Sequence, residues 1–272
     1  MAVTMADISK LRTMTGAGMM DCKNALIEAE NDFDKAVEII RKKGQAVAAK
    51  RSDREASEGC VLADAQGGYA AIVALKCETD FVAKNEDFIA LTKSILNAAM
   101  AAKPASTEAL AALSLDGRSI ADLVTERSGI TGEKMELDLY ESVEGQLTVA
   151  YVHPGNKLAS IVAFNETEVE TQVARNMAMQ VAAMNPLSLD RTSVPENVIQ
   201  QELEIGKEKA RQEGKPEAIL DRIAEGRLNK FFAESTLLEQ AFIDDAKQSV
   251  QDYLKANNAS ITAFKRVTLN VD

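Results

Sequence analysis

Two stretches decide the architecture: "EGCVLADAQGGYAAIVAL", residues 58–75, and "EGQLTVAYVHPGNKLASIVAF", residues 144–164. Each reads as two strands joined by a glycine-containing turn, "AQGG" in the first and "VHPGN" in the second. Each leads to an apolar-striped helix that ends at proline, "ILNAAMAAKP" and "MAMQVAAMNP", with Ile95 and Ala99 corresponding to Met177 and Val181. The expected scaffold is one ββα unit used twice.

The copies differ in length. Ile72 to Pro104 is 32 residues, and Ile161 to Pro186 is 25. The spacing places the seven extra residues around "CETDFVA", where the second copy makes its turn with "NETE" and no aromatic. Asp80 and Phe81 sit side by side there. The first is costly to bury and the second costly to leave in water. The unit itself does not need Phe81, so the residue serves a role outside folding or fills a gap peculiar to the first copy. The helix that follows is capped by Asn85, opens with Glu86 and Asp87, and buries Phe88, Leu91, Ile95 and Ala99.

Outward from this core the pattern changes. The first fifty residues read as three short helices. Thr4 caps the first, with Ile8 and Leu11 inward. Met19, Cys22, Leu26 and Ala29 stripe the second, beside Met20, Lys23 and Ile27. Phe33, Val37 and Ile40 line the third, which Gly44 stops. The basic stretch "RKKGQAVAAKR", 41–51, reads as a flexible linker or as an arm for an acidic partner. Residues 105–130 give two short helices around "LDGRS". Strand signals resume in "MELDLYESV", "QLTVAYV" and "LASIVAF". From 187 to 230 the chain is highly charged and reads as two helices joined at "EGKP". Gly214 is the stop, Pro216 the new start, and Ile199, Leu203, Ile219, Ile223 and Phe231 make a thin stripe. "LLEQAFI", a helix through Tyr253 and Leu254, and a strand "KRVTLNV" complete the chain.

The fold class is therefore α+β: an N-terminal three-helix domain, a core of two related ββα units with antiparallel strands, and a projecting antiparallel helical hairpin. The boundaries expected are 1–54 for the three helices and basic linker, and 55–140 for the first core subdomain. The second core subdomain takes 141–186 and 229–272, with 187–228 as the helical-hairpin (coiled-coil) insertion.

Composition narrows the function. The chain has 272 residues, 46% of them hydrophobic, and a net charge of −11. Such acidity disfavours direct binding of nucleic acid. The absence of a long apolar run or a basic-then-apolar start points away from a membrane and towards the cytoplasm. Cys22, Cys60 and Cys77 lack metal or redox spacing and read as reduced, mostly buried thiols. His153, the one histidine, lies in a turn without a nucleophile partner. "GAGMMD" lacks the strand and third glycine of a nucleotide loop. No metal site, cofactor or paired acid and base emerges, so a binding protein is expected rather than an enzyme.

The strings "LRTMTGAGMMDCKNAL" and "CETDFVAKN", the hairpin with "GKP" at its tip, and "GRLNKFFAESTLLEQAF" occur in this order. Together they resemble the bacterial translation elongation factor Ts family over almost the whole chain. The resemblance implies a ubiquitin-associated-like fold for the three helices. It also implies guanine nucleotide exchange on elongation factor Tu, bound in its GDP and nucleotide-free forms. Asp80 and Phe81, continued by Val82, Ala83 and Lys84, would wedge near the partner's nucleotide and disturb its Mg²⁺. Arg12, Met19, Met20 and Lys23 would grip the GTPase domain, with packing as the alternative reading of Met19. His153 would reach another domain of the partner. Two departures stand out: Ala241 replaces a usual proline, and the sequence closes at "VTLNVD" without a further C-terminal helix that many members carry. The second removes the basis for a C-terminal contact with the partner, but exchange is expected to survive it, because the wedge lies elsewhere. A scaffold that docks through the three helices and hairpin, an enzyme that holds a nucleotide at the glycine turn, and a homodimer through hairpin or core remain open.

Overall fold

The computed structural model describes residues 3–269. Three helices open the chain: α1 (Met5–Thr15), α2 (Met19–Glu28) and α3 (Phe33–Lys50). Thr4 and Asp7 form a reciprocal cap on α1: Thr4 Oγ1 accepts from the Asp7 amide at 3.2 Å, and Asp7 accepts from the Thr4 amide at 3.0 Å. Gly16, at φ 71°, ends the helix in the left-handed conformation. Ile8, Leu11, Cys22, Leu26, Ala36 and Ile40 form the small core between the three.

Gly44 does not stop α3, which runs on to Lys50. Residues 41–50 are therefore helical and not a flexible linker. The charges of the basic stretch are used locally: Lys42 pairs with Glu38 at 2.8 Å, Lys43 with Asp21, and Arg51 with Glu78 at 2.9 Å. A mid-helix glycine costs about 1 kcal/mol against alanine. Packing offsets that cost, because Gly44 lies at the crossing of α3 with a later helix, backbone against backbone.

The first ββα copy follows as β1 (Glu58–Gln66), β2 (Tyr69–Cys77), a single turn α4 (Asp80–Ala83) and α5 (Glu86–Ala102). Then come α6 (Thr107–Ala112), a minimal hairpin β3 (Ser114–Leu115) and β4 (Arg118–Ser119), and α7 (Ile120–Thr131). Strand β5 (Met135–Glu144) returns to pair with β2. The second copy is β6 (Leu147–Val152), β7 (Leu158–Phe164) and α8 (Thr171–Met184). Both sheets are antiparallel and three-stranded; the first runs β1-β2-β5. In the second, β7 lies between β6 and the last strand, β10 (Ile261–Thr268).

Strand alternation builds four layers. Ala71, Val73 and Leu75 of β2 face Phe88, Ile95, Leu96 and Ala99 of α5. The intervening Ala70, Ile72 and Ala74 face Ala159, Ile161 and Ala163 of β7 in the layer between the sheets. Val162 and Phe164 of β7 point the other way, to Val173, Met177 and Val181 of α8. The order is helix, sheet, sheet, helix, an α+β fold in which the central strands are covered on both faces. The correspondence of Ile95 and Ala99 with Met177 and Val181 holds in the packing: all four are fully buried. Both helices also end alike, with Lys103 (φ 48°) and Asn185 (φ 44°) left-handed just before the proline.

The length difference does not lie in "CETDFVA" alone. Two of the extra residues extend the strand, two the connection and three the helix. The connection after β2 is therefore only slightly longer than its counterpart, and it is more ordered because α4 fills it.

The charged region forms α9 (Glu196–Gln212) and α10 (Leu220–Ser235). They lie antiparallel: Lys207 meets Asp221 at 2.9 Å, and Glu213 meets Arg227 at 2.6 Å. Gly214 is left-handed at φ 74°, as the turn needs. Small residues make the closest approach, with Gly206 against Ala224. The expected large stripe is half-buried or exposed instead; the buried positions are Gly206, Ala210, Leu220, Ala224 and Phe232. Pro216 opens a short 3-10 turn at Glu217–Ile219 before α10 begins. A hairpin β8 (Ala241–Phe242) and β9 (Asp245–Ser249), then α11 (Val250–Ala256), lead into β10. The buried Gln180 of α8 holds this return, donating to the Ala241 carbonyl at 3.1 Å and accepting from the Ile243 amide at 2.8 Å. The end of the expected strand "KRVTLNV" lies outside the described residues.

Candidate protein-interaction site

The connection between β2 and α5 is fixed at both ends by side-chain caps. Thr79 caps α4, its Oγ1 accepting from the Val82 amide at 3.5 Å; Asn85 caps α5, accepting from the Asp87 amide at 2.9 Å. Between them the backbone closes a full turn, with Ala83 N–H to Thr79 O at 3.1 Å and Lys84 N–H to Asp80 O at 3.0 Å. The turn buries Ala83 and packs the half-buried Val82 on the first core. That orientation sends Phe81 outward, where it is 85% exposed. Complete burial of such a side chain is worth about 1.5–3 kcal/mol, so the fold forgoes this at Phe81. Beside it, Lys84 Nζ donates to Asp80 Oδ2 at 2.6 Å. That bond and the lysine charge hold the Asp80 carboxyl below its ordinary value, with a smaller contribution from Lys157. Lys84 is raised in return. The pair is solvent-exposed and adds little stability; it ties the Asp80 carboxylate to Lys84 one turn on.

The segment is also tied from outside. Thr79 donates through its amide (3.1 Å) and its hydroxyl (2.6 Å) to the two oxygens of Glu133. Glu78 accepts from the Lys134 amide at 2.6 Å and from Arg51, at the end of α3, at 2.9 and 3.1 Å. These supports escape sequence reasoning. Thr79 carries a cap signal in "TDFV", but Glu133 lies 54 positions away and nothing in its neighbourhood marks it.

The other expected residues occupy two separate places. Arg12 on α1 and Met19, Met20 and Lys23 on α2 are all exposed. Met19 is 46% exposed, which overturns its packing reading: it opens α2, one turn before the buried stripe begins at Cys22. Met20 is 64% exposed, and Met14 and Ile27 are exposed as well. His153 lies in the exposed β6–β7 turn, its Nδ1 3.0 Å from the Tyr151 hydroxyl. Lys157, near the end of that turn, pairs with Glu58 at 2.7 Å and is within electrostatic reach of Asp80.

The three thiols are buried and free. Burial pushes Cys60 up to about 11, and burial with the nearby Glu133 and Glu58 charges pushes Cys77 up to about 12. Among the described residues, no group of three or more His, Cys, Asp or Glu side chains is placed to hold a metal ion. No helix among them is long and apolar enough to cross a membrane.

The turn presents an outward aromatic, capped by Thr79, beside an exposed charge pair. The family model described as Elongation factor TS matches residues 78–270. The elongation factor Ts of Porphyromonas gingivalis is 61% identical over the whole of both chains. That of Azobacteroides pseudotrichonymphae is 57% identical, again over both whole chains. For that of Phocaeicola vulgatus the identity is 47% across 331 aligned positions, with both chains fully covered. The chain belongs to the elongation factor Ts family, a family of translation elongation factors.

Proposed function

We propose that this chain is a guanine nucleotide exchange factor for elongation factor Tu, acting in the cytoplasm without covalent chemistry or a cofactor of its own. The observation that carries the reading is Phe81: a large apolar ring held in water on a rigid, capped turn. Such a group gains most when a partner supplies its pocket.

Exchange is reciprocal coupling. A protein that binds the empty GTPase better than the loaded one weakens nucleotide binding by the same factor; one that binds both equally shifts nothing. In this reading Phe81 enters between elements of the partner beside its nucleotide, and Asp80 rearranges polar contacts there. Val82, Ala83 and Lys84 complete the contact. Displacement of the partner's Mg²⁺ leaves the diphosphate charge less compensated, and GDP departs. Arg12, Met19, Met20 and Lys23 form a second contact from the three helices, which we read as a ubiquitin-associated-like unit spanning 1–54. His153 forms a third. Their separation on the surface supports a grip at several points of one large partner.

The test is release of a fluorescent GDP analogue from elongation factor Tu, with wild type and Phe81→Ala. Fast release with wild type and slow release with the variant is expected. Equal acceleration by both moves the mechanism away from Phe81, and no acceleration by wild type removes the exchange function.

A further inference from the structure

We infer that Glu133 is a positioning residue for the Phe81 turn, acting with Glu78 as a reciprocal carboxylate clasp between the β2–α5 connection and the end of α7. Its role in exchange rests on the function proposed above.

Each side of the clasp sends a carboxylate to the other's backbone. Glu133 takes both donors of Thr79, at 3.1 and 2.6 Å. Glu78 takes the Lys134 amide at 2.6 Å. Charged acceptors make the stronger class of hydrogen bond, and two bonds to one carboxylate fix direction as well as distance. Glu133 is itself tied to α7, because the Ser128 hydroxyl donates to its carbonyl. Helix α7 crosses α3 at Gly44 and Gly129, and Arg51, which follows α3, returns to Glu78. The chain of contacts is closed.

The residue under control is Thr79. A four-residue helix does not persist alone, since a single turn fixes several dihedrals for few bonds. Thr79 starts α4 and accepts from Val82, so the direction in which Phe81 points depends on the orientation of Thr79. Glu133 sets that orientation before any partner arrives, which lowers the ordering cost of binding. Because α7 also abuts α3, the clasp fixes Phe81 relative to the Met20 surface of the three helices. Glu133 acts through Thr79.

The test uses the full chain as Glu133→Ala, Glu133→Gln, Phe81→Ala and the Phe81→Ala/Glu133→Ala double variant. Hydrogen exchange of the 82–85 amides in the free protein is expected to quicken about tenfold in Glu133→Ala, the value of one such bond, with β2 unchanged. Unchanged exchange at 82–85 overturns the clasp. With elongation factor Tu present, the maximal GDP-release rate is expected to fall about tenfold in Glu133→Ala at an unchanged half-saturating concentration. Glu133→Gln, which keeps one carbonyl acceptor and the fold, is expected to recover part of the rate. In the Phe81→Ala background, Glu133→Ala is expected to cost nothing further, because both act through one element. Multiplying losses, or a wild-type rate in Glu133→Ala, overturn the positioning role. If wild type fails to release GDP, the exchange function falls, and the amide measurement still decides the clasp.

Discussion

Gly129 of α7 faces the backbone of Gly44 in α3 so closely that a Cβ on Gly129 would collide with the Gly44 Cα. The relationship is not symmetric. A Cβ on Gly44 would meet its nearest atoms, on Glu126 and Gly129, at 3.6 Å, an ordinary contact. Gly129→Ala is expected to destabilise by about 1–3 kcal/mol through overpacking. Gly44→Ala is expected to be neutral or to stabilise by up to about 1 kcal/mol through helix propensity. Thermal unfolding of both variants checks this, and equal destabilisation would contradict it.

Phe81→Ala is expected to leave stability within about 0.5 kcal/mol of wild type, because the side chain packs on almost nothing. Urea unfolding measures that directly. The same variant is expected to be the slowest single substitution in GDP release. A large stability loss would mean that Phe81 serves the fold.

Met20→Ala and Lys23→Ala are expected to weaken elongation factor Tu binding differently. Met20 contributes apolar area, so its loss raises Kd about tenfold at any salt concentration. Lys23 contributes charge, so its effect shrinks as salt is added. Titrations at low and high salt separate the two.

Glu78 carries a pH signature. The Lys134 amide and then Arg51 hold its carboxyl below the ordinary 4.5. A carboxyl depressed in the folded state adds stability above its unfolded value and loses it as pH falls through the folded one. Glu78→Gln is therefore expected to be less stable than wild type at neutral pH. The difference should close below pH 4.5. Urea midpoints across that range would expose a pH-independent difference, which would assign the effect to packing.

The thiols offer a simple control. With Cys60 at about 11 and Cys77 at about 12, little thiolate exists near pH 8 in the folded protein. Iodoacetamide is expected to leave them unmodified until denaturant is added.

Features set by neighbours in sequence were legible there. The Thr4 and Asn85 caps, the two strands of each ββα copy and the Gly214 turn depend on a few adjacent residues, and each stands where the pattern placed it. Gly44 was misread because its partner is 85 positions away. Local propensity says stop; the crossing with α7 says continue. Met19 follows helical spacing to the buried stripe but sits at the first residue of α2, where the core has already ended. The hairpin stripe was sought at Ile199, Leu203, Ile219, Ile223 and Phe231, while the buried positions are Gly206, Ala210, Leu220, Ala224 and Phe232. The motif around Phe81 was visible at once; the Glu133 support was not, because it is assembled only when β5 pairs with β2, Cys77 opposite Met135.

Strand β2 gives the Phe81 turn an unusual mount. Each residue from Tyr69 to Cys77 is matched on one side by β1 and on the other by β5. The strand cannot slide or bow without breaking two ladders together, and α4 begins three residues beyond its end. A load placed on the ring would run through α4 into a strand anchored along both of its edges.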